Sequence, residues 1–104
     1  MDDIQATFLH RFTALARTRL ANALDAVTKR DPAGMQTTVR DMHSLAGEAG
    51  LLGLREVVPL ARSGEDRAKK MCAEPTDETV DAVIATIREI GSAVERLAAG
   101  ARPA

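Results

Sequence analysis

Three short interruptions divide this chain, and between them every segment repeats its apolar residues at helical rather than alternating spacing. From Asp3 to Lys29 there is neither Gly nor Pro, and Ile4, Phe8, Phe12, Leu15, Leu20, Leu24 and Val27 recur along it. That pattern predicts one long helix, or two in succession. "RDPAG" at 30–34 then supplies a stop and a restart, with Asp31 as N-cap and Pro32 at the first helical position. The second helix carries a stripe of Met35, Val39, Met42, Ala46 and Ala49 to about Leu52, where Gly53 ends it in a left-handed conformation. A third is predicted from near Leu54 to near Cys72 through Val57, Val58, Leu60, Ala61 and Ala68, with a kink from Pro59 and Gly64. "EPTDET" at 74–79 breaks the chain again. Thr76 or Asp77 caps a fourth helix, the cleanest amphipathic one, marked by Val80, Val83, Ile84, Ile87, Ile90, Val94 and Leu97.

No segment alternates with a period of two, so no strand is predicted. The expected fold class is all-α, an up-and-down antiparallel four-helix bundle whose loops of about two to five residues join neighbouring helices. With 104 residues, 45% of them hydrophobic, the chain suffices for one core. A single domain over 1–100 is expected, with a frayed tail at 101–104.

Charge and composition narrow the function. Fourteen Lys+Arg against fifteen Asp+Glu lack the basic footprint of a nucleic-acid binder, and two Phe with no Trp or Tyr offer no base-stacking platform. No apolar run approaches the ~20 residues of a membrane span, and "MDDIQATFLHRF" is acidic where a signal peptide is basic. A cytoplasmic protein with no nucleic-acid or membrane partner is expected. Cys72 has no disulfide partner and reads as a small packing residue, and His10 reads as surface.

"HSLAGEAGLLG", His43 to Gly53, places three glycines in eleven residues of a predicted helix, each costing roughly 0.8–1 kcal/mol against alanine if it lies in the interior. At about 100° per residue His43 falls at the edge of the core stripe, and Gln36, Arg40, Gly47 and Gly50 share its sector. Side chains on a helix lean toward its N-terminus, so a residue at 47 covers the turn that carries His43. Glycine there leaves the imidazole bare, and Gly50 extends the bare strip by a turn. The arrangement predicts that another macromolecule lies close against the histidine, with Ser44 also at the contact.

The same residues resemble the signature of histidine-containing phosphotransfer domains, in which the phosphorylated histidine is followed by Leu two residues on, Gly four on, and Leu-Gly nine and ten on. Leu45, Gly47, Leu52 and Gly53 match. "LARSGEDRAKK" is similar to the family's second conserved stretch, with Glu65 in the glutamate position. In the phosphate-accepting domains of chemotaxis histidine kinases that glutamate bonds the histidine's other ring nitrogen, and the resemblance implies the same role for Glu65. It also implies an HPt-like bundle, His43 as phosphoacceptor, and a receiver domain or hybrid histidine kinase as partner. No cofactor or metal is implied on this chain, Mg²⁺ being supplied by the receiver. The chain departs from the family at Ala46, where many members carry lysine, and at Gly64, where the usual residue is apolar and glycine is expected to loosen the helix. Arg40, Arg62 and Lys69 are the alternative sources of positive charge.

The chemistry suits a neutral imidazole, whose ordinary pKa near 6.5 leaves a lone pair available at neutral pH. A carboxylate on the other N–H fixes the tautomer and raises the nucleophilicity of the free nitrogen. The expected role is a phosphohistidine carrier that takes phosphate from a receiver aspartate or a kinase and passes it to a response regulator. No Walker A or other glycine-rich nucleotide loop is present, so the chain is not expected to use ATP. The rival of a different class is a non-catalytic adaptor that binds a receiver or kinase without accepting phosphate, for which Ala46 is the argument. A monomer is expected, and a stand-alone protein is favoured over a domain excised from a hybrid kinase. The spacing of "HSLAG" supplies no second ligand for a helical metal site.

Overall fold

The computed structural model describes residues 3–100, so the expected tail at 101–104 lies outside the described residues. Four helices follow one another: α1 (Asp3–Lys29), α2 (Pro32–Leu51), α3 (Val57–Ala73) and α4 (Asp77–Gly100). Each packs on two others, α1 on α2 and α4, and α3 on α2 and α4, with the α2–α3 seam the most extensive. Short connections between helices packed in that cyclic order make an up-and-down antiparallel bundle, and no strand occurs among the described residues. The first helix is one continuous element rather than two.

The helix ends obey their local chemistry. Asp31 caps α2 by accepting the Gly34 N–H at 3.0 Å, with Pro32 directly behind it. Gly53, at φ +69, closes the other end: its N–H donates to the Gly50 carbonyl at 3.2 Å and that of Leu54 to the Ala49 carbonyl at 2.9 Å. This pair of bonds is the Schellman arrangement, and the left-handed residue it needs is the glycine. The next helix starts at Val57, three residues later than the sequence pattern predicts, and the Val58 N–H donates to the Leu54 carbonyl at 3.2 Å. Pro59 then falls in the first turn, where its missing N–H costs no intrahelical bond, and α3 is one continuous helix from Val57 to Ala73. Thr76 precedes α4 and exchanges bonds with Thr79: the Thr79 N–H donates to Thr76 Oγ1 at 3.2 Å, and the Thr76 N–H donates to Thr79 Oγ1 at 2.9 Å. The exchange has the reciprocal form of a capping box.

The core is Leu, Val, Ile, Ala and Met with one phenylalanine, Phe12. Its α4 contribution is Val80, Val83, Thr86, Ile87, Ile90, Ala93 and Val94, close to the predicted stripe. On α1 the prediction fails in part. The buried face is Leu9, Phe12, Thr13, Ala16, Leu20, Ala23 and Val27, whereas Ile4, Phe8 and Leu15 are exposed. Those three lie roughly 100° around the helix from the buried face. Alanines 16 and 23 form the actual seam, and large side chains are the misleading guide. Thr38 and Thr86 are core residues that the apolar pattern does not reveal; each hydroxyl donates at 2.9 Å to the carbonyl four residues back, which satisfies it without leaving the helix.

Gly64 is a point of close approach between helices. A Cβ there would stand 2.9 Å from Met42 Sδ on α2 and 3.3 Å from Thr86 Cγ2 on α4. Rather than loosening α3, the glycine lets it settle between its two neighbours. Gly64→Val is expected to destabilise the fold by about 1–3 kcal/mol through overpacking, measured by urea unfolding; an unchanged midpoint would show that the seam is slack.

Candidate functional site

The tight seam at Gly64 sets the position of the next residue. Met42, which Gly64 meets, is followed on α2 by His43, and Gly64 is followed on α3 by Glu65. The two side chains emerge together at the edge of the seam. Both carboxylate oxygens of Glu65 lie 3.1 Å from His43 Nδ1. The environments of the partners differ sharply: the Glu65 side chain is 18% exposed and that of His43 76%. The carboxylate is therefore a fixture of the bundle surface, and the imidazole stands on it in water.

Lys69, one turn along α3, adds a third member, its Nζ 3.2 Å from Glu65 Oε2. The hydrogen bond with His43, followed by the one with Lys69, holds the Glu65 carboxyl below the usual carboxylate range against the opposing effect of burial. A carboxylate kept ionised is an acceptor only, so Nδ1 is the nitrogen that carries the proton facing it. Nε2 has no hydrogen-bond partner among the described residues.

Of the other residues singled out from the sequence, Gln36, Arg40, Gly47 and Gly50 are all exposed on α2, in the sector of His43. No atom lies within 4 Å of a Cβ built on Gly47 or Gly50, so the surface along this strip is open space. Ser44 is half-buried, about 100° around the helix from His43. Arg62 is exposed on α3, one turn before Glu65, and neither it nor Arg40 bonds to the His43–Glu65 pair. Ala46, where a lysine is the family expectation, is 8% exposed and belongs to the core.

The strip leads to a feature that the apolar pattern of the sequence conceals. Leu51, one residue beyond Gly50, is 91% exposed, and with Phe8, Arg11, Phe12, Leu15, Glu48 and Leu52 it lines a groove of about 420 Å³ between α1 and α2. Phe8 and Leu15 thus belong to a groove rather than to the core. The signal that separates them is angular: they share a face with Ile4 and not with Ala16, Leu20 and Ala23. Eight residues of helix, about 12 Å, separate Leu51 from His43.

A family model described as the Hpt domain matches residues 7–100. The chain belongs to the Hpt domain family. No curated protein and no solved structure gives a significant match. Membership assigns the chain a phosphotransfer role in two-component signalling, and Hpt domains interact with receiver domains and histidine kinases. Among the described residues no helix is long and apolar enough to cross a membrane.

Two outcomes test this geometry. Gly47→Ala and Gly50→Ala meet no neighbour, so each is expected to raise stability, by up to about 1 kcal/mol; a loss on thermal unfolding would mean that the strip is closed. Because the Glu65 carboxyl is held low by folding, its contribution is present above the unfolded value and is lost as pH falls through the folded one. The stability advantage of wild type over Glu65→Gln is therefore expected at neutral pH and absent in strong acid. An advantage that is the same across that range in urea unfolding would contradict the pairing.

Proposed function

We propose that His43 is the phosphoacceptor of a two-component phosphorelay, taking a phosphoryl group from a receiver aspartate or a histidine kinase and passing it to a response regulator. The observation that carries this reading is the His43–Glu65 pair: one ring nitrogen bonded to a partly buried carboxylate, on an imidazole 76% exposed. A structural histidine has no need to project into water beside two uncovered glycine positions.

In the forward step the Nε2 lone pair attacks phosphorus in line with the leaving oxygen. The N–P bond forms, the P–O bond to the aspartate breaks, and the aspartate carboxylate departs with the electron pair. The proton on Nδ1 stays in place, and the positive charge that appears on the ring faces Glu65. Reversal delivers the phosphoryl group to a second aspartate. Glu65 thus acts twice, first fixing the tautomer and then neutralising the imidazolium. The receiver brings the Mg²⁺ and the charged cleft that steady the phosphoryl group in flight.

Gln36, Arg40, Ser44, Gly47, Gly50, Arg62 and Lys69 form the proposed contact face around His43. The open strip at Gly47 and Gly50 admits the receiver's cleft, and the groove at Phe8, Leu15 and Leu51 gives its rim an apolar seat. Such a face is proposed to act as a monomer in the cytoplasm, meeting its partners transiently.

The test is transfer of labelled phosphate from phosphorylated receiver domains. Acid-labile, base-stable label is expected on wild type and none on His43→Ala. Gly47→Arg is expected to fold yet transfer more slowly, and Glu65→Ala to lose about tenfold or more in rate, the range typical of a lost orienting partner. Binding without label on wild type would replace this reading with that of an adaptor, the role that the alanine at position 46 favours.

A further inference from the structure

The alanine three residues after His43 raises a question that α2 itself does not answer. Ala46 is buried against the core, so that position places no ammonium beside the reacting nitrogen. The facing helix does. Lys69 Nζ is 3.2 Å from Glu65 Oε2, on the same carboxylate whose oxygens lie 3.1 Å from His43 Nδ1. The ammonium is thus one carboxylate group away from the ring.

Helix direction favours the same meeting. Since α2 and α3 run antiparallel, residues C-terminal to Glu65 lie beside residues N-terminal to His43. Side chains lean toward the N-terminus of their own helix. The His43 side chain thus tips toward the level of Lys69, while the lysine stem leans back toward Glu65. Lys69 is 60% exposed, so its head group can change partners without giving up burial. Arg40 and Arg62 each stand one turn from a member of the pair without bonding to it, and Asp66 is exposed on α3 beside Glu65.

We infer that Lys69 is the phosphoryl-binding cation of this domain, resting on Glu65 while His43 is bare and moving to a phosphoryl oxygen once Nε2 carries phosphorus. The inference rests on His43 being the acceptor. Phosphorylation brings a charge of about −1.5 to −2 and three strong acceptor oxygens, against a single negative charge on Glu65. A compact ammonium on a flexible four-carbon stem is suited to follow that charge. As Lys69 leaves, Glu65 is left to the imidazolium that the attack has just created. No proton moves in this exchange: the N–P bond forms, the P–O bond breaks, and the ammonium only changes partner. The cation of the site is thus supplied across the helix seam rather than from the histidine's own helix.

The test uses the full chain and phosphoramidate, a small phosphoryl donor that needs no docking surface. The second ionisation of the phosphoryl group on His43 is followed by ³¹P NMR as a function of pH. An ammonium in contact favours the dianion, so Lys69→Met is expected to raise the midpoint by roughly half a unit. Lys69→Arg should restore most of the shift, and Lys70→Met, next along the helix, should leave the wild-type midpoint. A Lys69→Met protein that is phosphorylated on His43 and titrates like wild type overturns the inference while leaving the phosphotransfer reading intact. A wild-type protein that gives no phosphohistidine with either phosphoramidate or phosphorylated receivers overturns both.

Discussion

Everything that distinguishes the site depends on how closely α3 approaches α2 at Gly64. A side chain at that position would meet Met42 and Thr86, and those side chains, or the helices that carry them, would have to shift to admit it. The next residues on the two helices are His43 and Glu65, which have to meet at hydrogen-bond distance and do so at 3.1 Å. Close packing in the core is thereby converted into geometry at the surface. Dense interiors transmit small displacements rather than absorbing them, so the precision of an exposed imidazole is inherited from a buried glycine contact.

A second trade is made along α2. Gly47 and Gly50 touch nothing, and each weakens the helix that carries the histidine. The core compensates elsewhere, in the continuous apolar face of α4 and the small-residue seam of α1. The result is a scaffold with one side left uncovered, bounded by the His43–Glu65–Lys69 cluster at the α2–α3 seam and by the apolar groove between α1 and α2. His43 on α2, Glu65 and Lys69 on α3, and the apolar groove between α1 and α2 are contributed by three consecutive helices of the bundle.

Much of this is legible in the sequence, for identifiable reasons. Helix ends at Asp31, Gly53 and Thr76 are readable because caps are local chemistry, and the α4 stripe because a single side of that helix is apolar. His43 and Glu65 are readable through spacing and family resemblance. Other features depend on partners distant in the chain. Which face of α1 is buried is decided by α2 and α4, so Ile4, Phe8 and Leu15 look like core and lie outside. Gly64 looks like a weak point because its value lies in the approach it permits across the seam. Residues 54–56 belong to the turn that closes α2, where the Leu54 N–H bonds to the Ala49 carbonyl, and residue periodicity does not record that turn.

The central claim is that Glu65 holds the proton of His43 on Nδ1 and leaves Nε2 as the free nucleophile. The most direct measurement is the tautomer of His43 by ¹⁵N NMR above the pH at which the ring is protonated. The account predicts the Nδ1–H form in wild type and a shift toward Nε2–H in Glu65→Ala. A wild-type ring found in the Nε2–H form would contradict it, since the exposed nitrogen would then hold a proton instead of a lone pair.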